Sequence, residues 1–209
     1  MVDSIIFDLD GTLWDATYGM CASWNEAVQK AGYDITLVRD DVTKAMGLPV
    51  QGIADVAFPM VEDAKERLSM IRLCFQAEEE YLAKHGGILM DGMVETIKEL
   101  KKDYKLYIVS NCQDGYIQVF LDAHNMWDYF DGFICAGDSG MSKGKNNLLL
   151  MERENLKAPI YVGDTKGDHD SAIEAGIPFV FCKFGFGKTT NPDYTIDSLR
   201  ELPNLLKKM

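Results

Sequence analysis

Ile5-Ile6-Phe7-Asp8-Leu9-Asp10-Gly11-Thr12 decides the fold. An apolar run short enough for one buried strand ends in two carboxylates spaced two apart. Side chains alternate faces along a strand, so Asp8 and Asp10 can point the same way. Gly11 permits a sharp turn, and Thr12 offers a hydroxyl and a backbone N–H. Two carboxylates in one small volume repel unless a cation or a shared proton lies between them. The stretch therefore reads as a Mg²⁺ site in which one carboxylate is also a nucleophile. Asp-Gly is also ordinary turn chemistry, so the rest of the chain has to supply matching parts.

Beyond this stretch, strands and helices alternate. Helix Met93 to Lys102 leads to strand Lys105 to Ser110, helix Gly115 to Ala123 to strand Phe133 to Ala136, and helix Asn147 to Asn155 to strand Ile160 to Gly163. Helix Ser171 to Ala175 then leads to strand Phe179 to Cys182, and a last helix covers Ser198 to Lys207. This rhythm predicts an α/β fold with a doubly wound, mainly parallel Rossmann-like sheet of five strands covered on both faces. A parallel crossover needs only a dozen or so residues. Between the first strand and Lys105 the chain is far longer, with helical periodicity and no strand signal. Trp14, Tyr18, Cys21, Trp24, Val28 and Ala31 recur at three or four residues, Val38 to Met46 reads as a short helix, and Met60 to Lys84 as a long one with Ala64, Leu68, Ile71, Phe75 and Leu82 on one face. Residues 15–84 are expected to form an inserted helical cap, and residues 1–14 with 85–209 the α/β core. Glu78-Glu79-Glu80 reads as a solvated face of the long helix.

Ligands of open α/β sheets lie at the carboxyl ends of the strands. Those ends carry Asp8 and Asp10, then Ser110-Asn111, then Asp164 and Asp168 in Gly163-Asp164-Thr165-Lys166-Gly167-Asp168, with Ser142-Lys143-Gly144-Lys145 before the fourth strand. In order and spacing these resemble the four motifs of the haloacid dehalogenase superfamily. The helical insertion resembles the C1 cap of its phosphoglycolate phosphatase-like branch. The resemblance implies that Asp8 is the nucleophile and Asp10 the general acid and base, that Ser110 and Lys143 are catalytic, and that Asp8, Asp10 (through its carbonyl) and Asp164 hold Mg²⁺. It further implies that phosphate contacts come from Asp8, Leu9, Asp10, Gly11, Thr12, Ser110, Asn111 and Lys143, with Asp168 behind them. Lys145 rivals Lys143, because the usual Lys-Pro context is missing. Trp14, Tyr18, Met20 and Gly47 are the cap-side candidates for the substrate pocket.

The implied reaction is Mg²⁺-dependent hydrolysis of a small phosphomonoester. A dehalogenase or phosphonatase is expected to lack the carboxylate at Asp10. A β-phosphoglucomutase-like enzyme is expected to carry a cap histidine where Met20 stands. Mutase-like phosphoryl transfer and a non-catalytic phosphate-binding module are the alternatives.

The whole-chain properties agree. In 209 residues, 47% hydrophobic content is ample for a core, and a net charge of −12 argues against nucleic acid or anionic membranes as partners. A phosphorylated metabolite must then be attracted locally. No apolar run approaches about 20 residues and the N-terminus lacks a signal-peptide pattern. Cys21, Cys74, Cys112, Cys135 and Cys182 are scattered, as reduced thiols of a cytoplasmic protein would be, with Cys112 near Ser110. A monomer and a homodimer fit equally.

Overall fold

The computed structural model describes residues 2–209. Strand β1 (Ser4–Phe7) is wholly buried and is followed by the two-residue β2 (Trp14–Asp15). Four helices come next: α1 (Thr17–Lys30), α2 (Arg39–Ala45), α3 (Val50–Ala57) and α4 (Ala64–His85). Strand β3 (Ile88–Leu89) pairs antiparallel with β2, so the chain enters and leaves the helical insertion at one place. The alternating part runs α5 (Met93–Leu100), β4 (Lys105–Ser110), α6 (Tyr116–His124), β5 (Gly132–Cys135), α7 (Ala136–Ser139), α8 (Lys143–Arg153), β6 (Pro159–Gly163), α9 (Lys166–Ala175), β7 (Phe179–Cys182), β8 (Tyr194–Ile196) and α10 (Leu202–Leu206).

The six-stranded sheet has the order β5-β4-β1-β6-β7-β8, with every pair parallel. Strand β1 is central because both its faces are apolar. Ile5 and Phe7 join the core cluster that also takes in Trp24, Ile53 and Phe75 of the insertion. Ile6 faces the other way, onto a cluster with Leu150 of α8 and Ala172 of α9. Strand order reverses at β1, between β4 and β6, which is where a doubly wound sheet opens a crevice.

The sheet has six strands where the alternation predicted five. Tyr194–Ile196 is only three residues long, and with one half-exposed, one exposed and one buried residue it lacks the buried run that marks an inner strand. The β2–β3 ribbon was likewise too short to carry a period. Helix α8 begins at Lys143, four residues before the expected start, because the Ser142 side chain accepts a hydrogen bond from Lys145 N and caps it. Helix α9 begins at Lys166, capped by Thr165 in a reciprocal box with Asp168. Among the described residues, no helix is long and apolar enough to cross a membrane.

Candidate active site

The carboxyl ends of β1, β4 and β6 meet at the crevice. Asp8 follows β1 directly and is 2% exposed. Its Oδ1 accepts from Lys143 Nζ at 2.8 Å, and its other oxygen has no side-chain donor. Burial raises the Asp8 pKa to about 6, helped by the charge of Asp168 and opposed by Lys143. Lys143 is equally buried and also reaches Asp168 Oδ1 at 2.6 Å. Its position as the first residue of α8 aims it inward, whereas Lys145 is exposed. The structure thus brings Lys143, not its rival, to Asp8.

Asp10 has a different environment. Its Oδ1 accepts from Trp14 Nε1 and from the Tyr116 hydroxyl, both at 2.9 Å. Burial, with the neighbouring Asp8 charge, lifts its pKa to about 7 against those two donors. Ser110 ends β4 and is 4% exposed. Asp164 follows β6, where Oδ1 accepts from the Thr12 hydroxyl at 3.2 Å and Oδ2 from Phe186 N at 2.6 Å. Burial first, then the charges of Asp168 and Asp8, push Asp164 well above the carboxylate range. Gly11 is required here: its φ is +82°, and a Cβ would run into the Asp164 carboxylate and the Phe186 ring. Asp168 is fully engaged, with Oδ1 on Lys143 and Oδ2 accepting from Asp164 N, Thr165 N and the Thr165 hydroxyl. It fixes the lysine and the loop after β6 together.

Four carboxylates, Asp8, Asp10, Asp164 and Asp168, therefore face one ammonium group. Oxygens of Asp8, Asp164 and Asp168 lie within 4.8 Å of one another. Since Asp168 is saturated with donors, Asp8 and Asp164 are the pair with capacity left for a hard, oxygen-seeking dication.

A model of the haloacid dehalogenase-like hydrolases matches residues 5–182. The chain belongs to this family. Within the haloacid dehalogenase-like hydrolases it is similar to the phosphoglycolate phosphatase of Vibrio parahaemolyticus, at 28% identity over 95% of this chain and 93% of that protein. Its fold is similar to that of a family hydrolase from Streptococcus pneumoniae (TM-score 0.86, 21% identity, 98% of each chain). It is also similar to a predicted phosphoglycolate phosphatase from Haemophilus somnus (TM-score 0.85, 20% identity, 98% of each chain).

Several expected contacts differ in detail. Gly11 N donates to Trp14 O and Thr12 N to Leu9 O, so both donors serve the turn, and the Thr12 hydroxyl serves Asp164. Leu9 N supports the Asp8 carboxylate. Asn111 donates from Nδ2 to Gly47 O at 2.9 Å, tying the loop after β4 to the helical insertion. Met20 and Gly47 line the cavity beside Asp8 and Asp10, whereas Trp14 and Tyr18 do not. Trp14 is fully buried against Tyr116 and Phe120 and acts through its N–H on Asp10. Tyr18 is 57% exposed beneath the Arg39 guanidinium, whose carbon lies 4.0 Å from its ring centroid.

Two site residues escaped the sequence reading. Tyr116 opens α6, one loop beyond β4, where the strand-end rule could have found it. Glu78, read as solvated, is fully buried and lines the cavity. It accepts from Trp24 Nε1 and from Gln113 Nε2, the latter at 2.6 Å. Ile71, Phe75 and Leu82 already marked the apolar face of α4, and Glu78 fills the gap in that stripe at helical spacing.

Proposed function

We propose that this protein is a Mg²⁺-dependent phosphatase that hydrolyses a small phosphomonoester through an aspartyl-phosphate on Asp8. The observation that carries the reading is the division of labour between two adjacent carboxylates. Asp8 is held by an ammonium group and keeps one oxygen without a side-chain donor, while Asp10 is held by two neutral donors and its pKa is lifted to about 7. Paired carboxyls held by such different donors fit a nucleophile beside a proton carrier.

The second oxygen of Asp8 attacks phosphorus, and the bond to the leaving oxygen breaks as Asp10 delivers its proton there. Asp10, now ionised, takes a proton from water as that water attacks phosphorus, and the Asp8–phosphorus bond breaks to give inorganic phosphate. Lys143 uses two of its three N–H donors on Asp8 and Asp168. Its charge, with the Ser110 hydroxyl as a donor, would stabilise the phosphoryl oxygens. Asp168 holds Lys143 in place. Tyr116 and Trp14 hold Asp10.

The excess of buried carboxylate over ammonium fits a divalent cation, held by Asp8, Asp164 and the backbone carbonyl of Asp10. Mg²⁺ would supply charge neutralisation between the anionic nucleophile and the phosphoryl group. A methionine at position 20 cannot relay a proton, which favours hydrolysis over mutase-like transfer. The phosphatases among the relatives support a phosphorylated metabolite as substrate, and a cytoplasmic location belongs to the same reading.

The test is phosphate release from a panel of small phosphomonoesters with Mg²⁺. Wild-type protein should release phosphate, and EDTA or Asp8→Asn should stop it. Release by Asp8→Asn at the wild-type rate would remove Asp8 as nucleophile.

A further inference from the structure

The cavity beside Asp8 and Asp10 is about 30 Å³ and is roofed by Met20 and Trp24 of α1, Ile53 of α3, and Phe75 and Glu78 of α4. Such a volume holds a water molecule or two. Hydrogen bonds from Asn111 to Gly47 and from Gln113 to Glu78 join residues of its lining. The chemistry of the walls restricts what can enter. No lysine, arginine or histidine is among the lining residues, whose carboxyl groups are Asp8, Asp10 and Glu78. The nearby cations of the insertion are engaged elsewhere: Arg39 pairs with Asp15 at 2.6 Å, and Lys44 pairs with Asp40 on the outer surface.

We propose that the leaving group this site accepts is uncharged and hydroxyl-bearing, and that Glu78 selects it. The proposal rests on the phosphatase reading and names its substrate class. A carboxylate leaving group, as in phosphoglycolate, would enter a largely apolar chamber with no cation among its lining residues. Burying an unpaired charge is far more costly than burying a hydrogen-bonded hydroxyl. Each Glu78 oxygen already receives one N–H, from Trp24 or Gln113, and keeps a lone pair or a proton for a ligand. A hydroxyl can donate to a carboxylate and accept from a carboxylic acid, so it suits Glu78 in either protonation state, whereas a ligand carboxylate is met only by the protonated acid and its charge stays without a cation among the lining residues. A second carboxylate can only accept. The apolar roof of Met20, Ile53 and Phe75 suits the carbon skeleton of a small polyol.

Two nearly isosteric esters test this: 2-hydroxyethyl phosphate and phosphoglycolate, with p-nitrophenyl phosphate as the general phosphatase probe. Wild-type protein should favour the hydroxyl ester by about 10-fold or more in kcat/KM, equivalent to about 1.4 kcal/mol. Glu78→Gln, whose amide can donate to a carboxylate, should narrow that ratio. Leu48→Arg, which puts a cation at the cavity wall, should raise kcat/KM for phosphoglycolate. That variant also keeps the test open should Glu78→Gln fail to fold. Equal or better use of phosphoglycolate by the wild type would overturn the proposal, as would a ratio unmoved by both substitutions. Failure to hydrolyse any of the three esters would instead count against the phosphatase reading. Calorimetric binding of the two isosteres to the wild-type protein would then decide the selectivity by the same 10-fold criterion.

Discussion

Lys143 Nζ lies 2.8 Å from Asp8 Oδ1, and the two side chains are buried to within a few per cent of full enclosure. The pair joins the end of the central strand to the start of α8 across 135 residues of sequence. Burying two charges is favourable only when they are matched in geometry and further hydrogen-bonded, and Asp168 completes that match from the other side.

Lys143→Ala should therefore affect both activity and stability. Removing one member of a buried pair leaves the other uncompensated, with a typical cost of about 3 to 5 kcal/mol. Turnover should fall by about 10²-fold or more with the loss of a donor to the phosphoryl group. Lys145→Ala, on the exposed side of the same helical turn, should change neither. Phosphate release and denaturant midpoints for both variants check this, and the reverse pattern would move the role to Lys145.

Tyr116→Phe removes a donor to Asp10 Oδ1 and leaves Trp14 in place. A hydrogen bond to a carboxylate favours its ionised form, so losing one raises the Asp10 pKa further. The protonated acid then persists to higher pH. The alkaline limb of the kcat/KM profile should shift upward, and an unmoved or lowered limb would contradict the assignment of Asp10 as the acid.

Glu78 predicts a stability effect separable from catalysis. Burial raises its pKa from 4.5 to about 8, outweighing the hydrogen bonds from Gln113 and Trp24. The unfolded chain releases this proton near 4.5 and the folded chain only near 8, so the folded state binds more protons between the two. Its contribution is thus fully present below about pH 4.5 and is lost as pH rises through 8. The stability difference between wild type and Glu78→Gln, read from urea midpoints, should move against the wild type from pH 5 to pH 9. A constant difference would show that Glu78 is not the titrating group.

The legibility of the sequence varied with the physics of each element. Asp8, Ser110 and Asp164 were readable because each follows a buried parallel strand, and such strands are continuous apolar runs with abrupt polar ends. The choice between Lys143 and Lys145 was not, because it depends on where α8 starts, and that is set by the Ser142 cap. Glu78 was misread because three consecutive glutamates suggest solvent. Only the tertiary contact with Trp24 and Gln113 shows that one of them is inside. Trp14 and Tyr18 sit near the start of the helical insertion, yet one packs behind Asp10 and the other faces outward, a difference fixed by the β2–β3 ribbon rather than by local pattern.

The aspartyl-phosphate is tested by quenching the Mg²⁺-supplemented enzyme during turnover of a hydrolysed phosphomonoester and mapping the phosphorylated peptide. An acid-stable, hydroxylamine-labile phosphoryl group is expected on Asp8 and absent from Asp8→Asn. A phosphoryl group on another residue, or steady hydrolysis by Asp8→Asn, would contradict it.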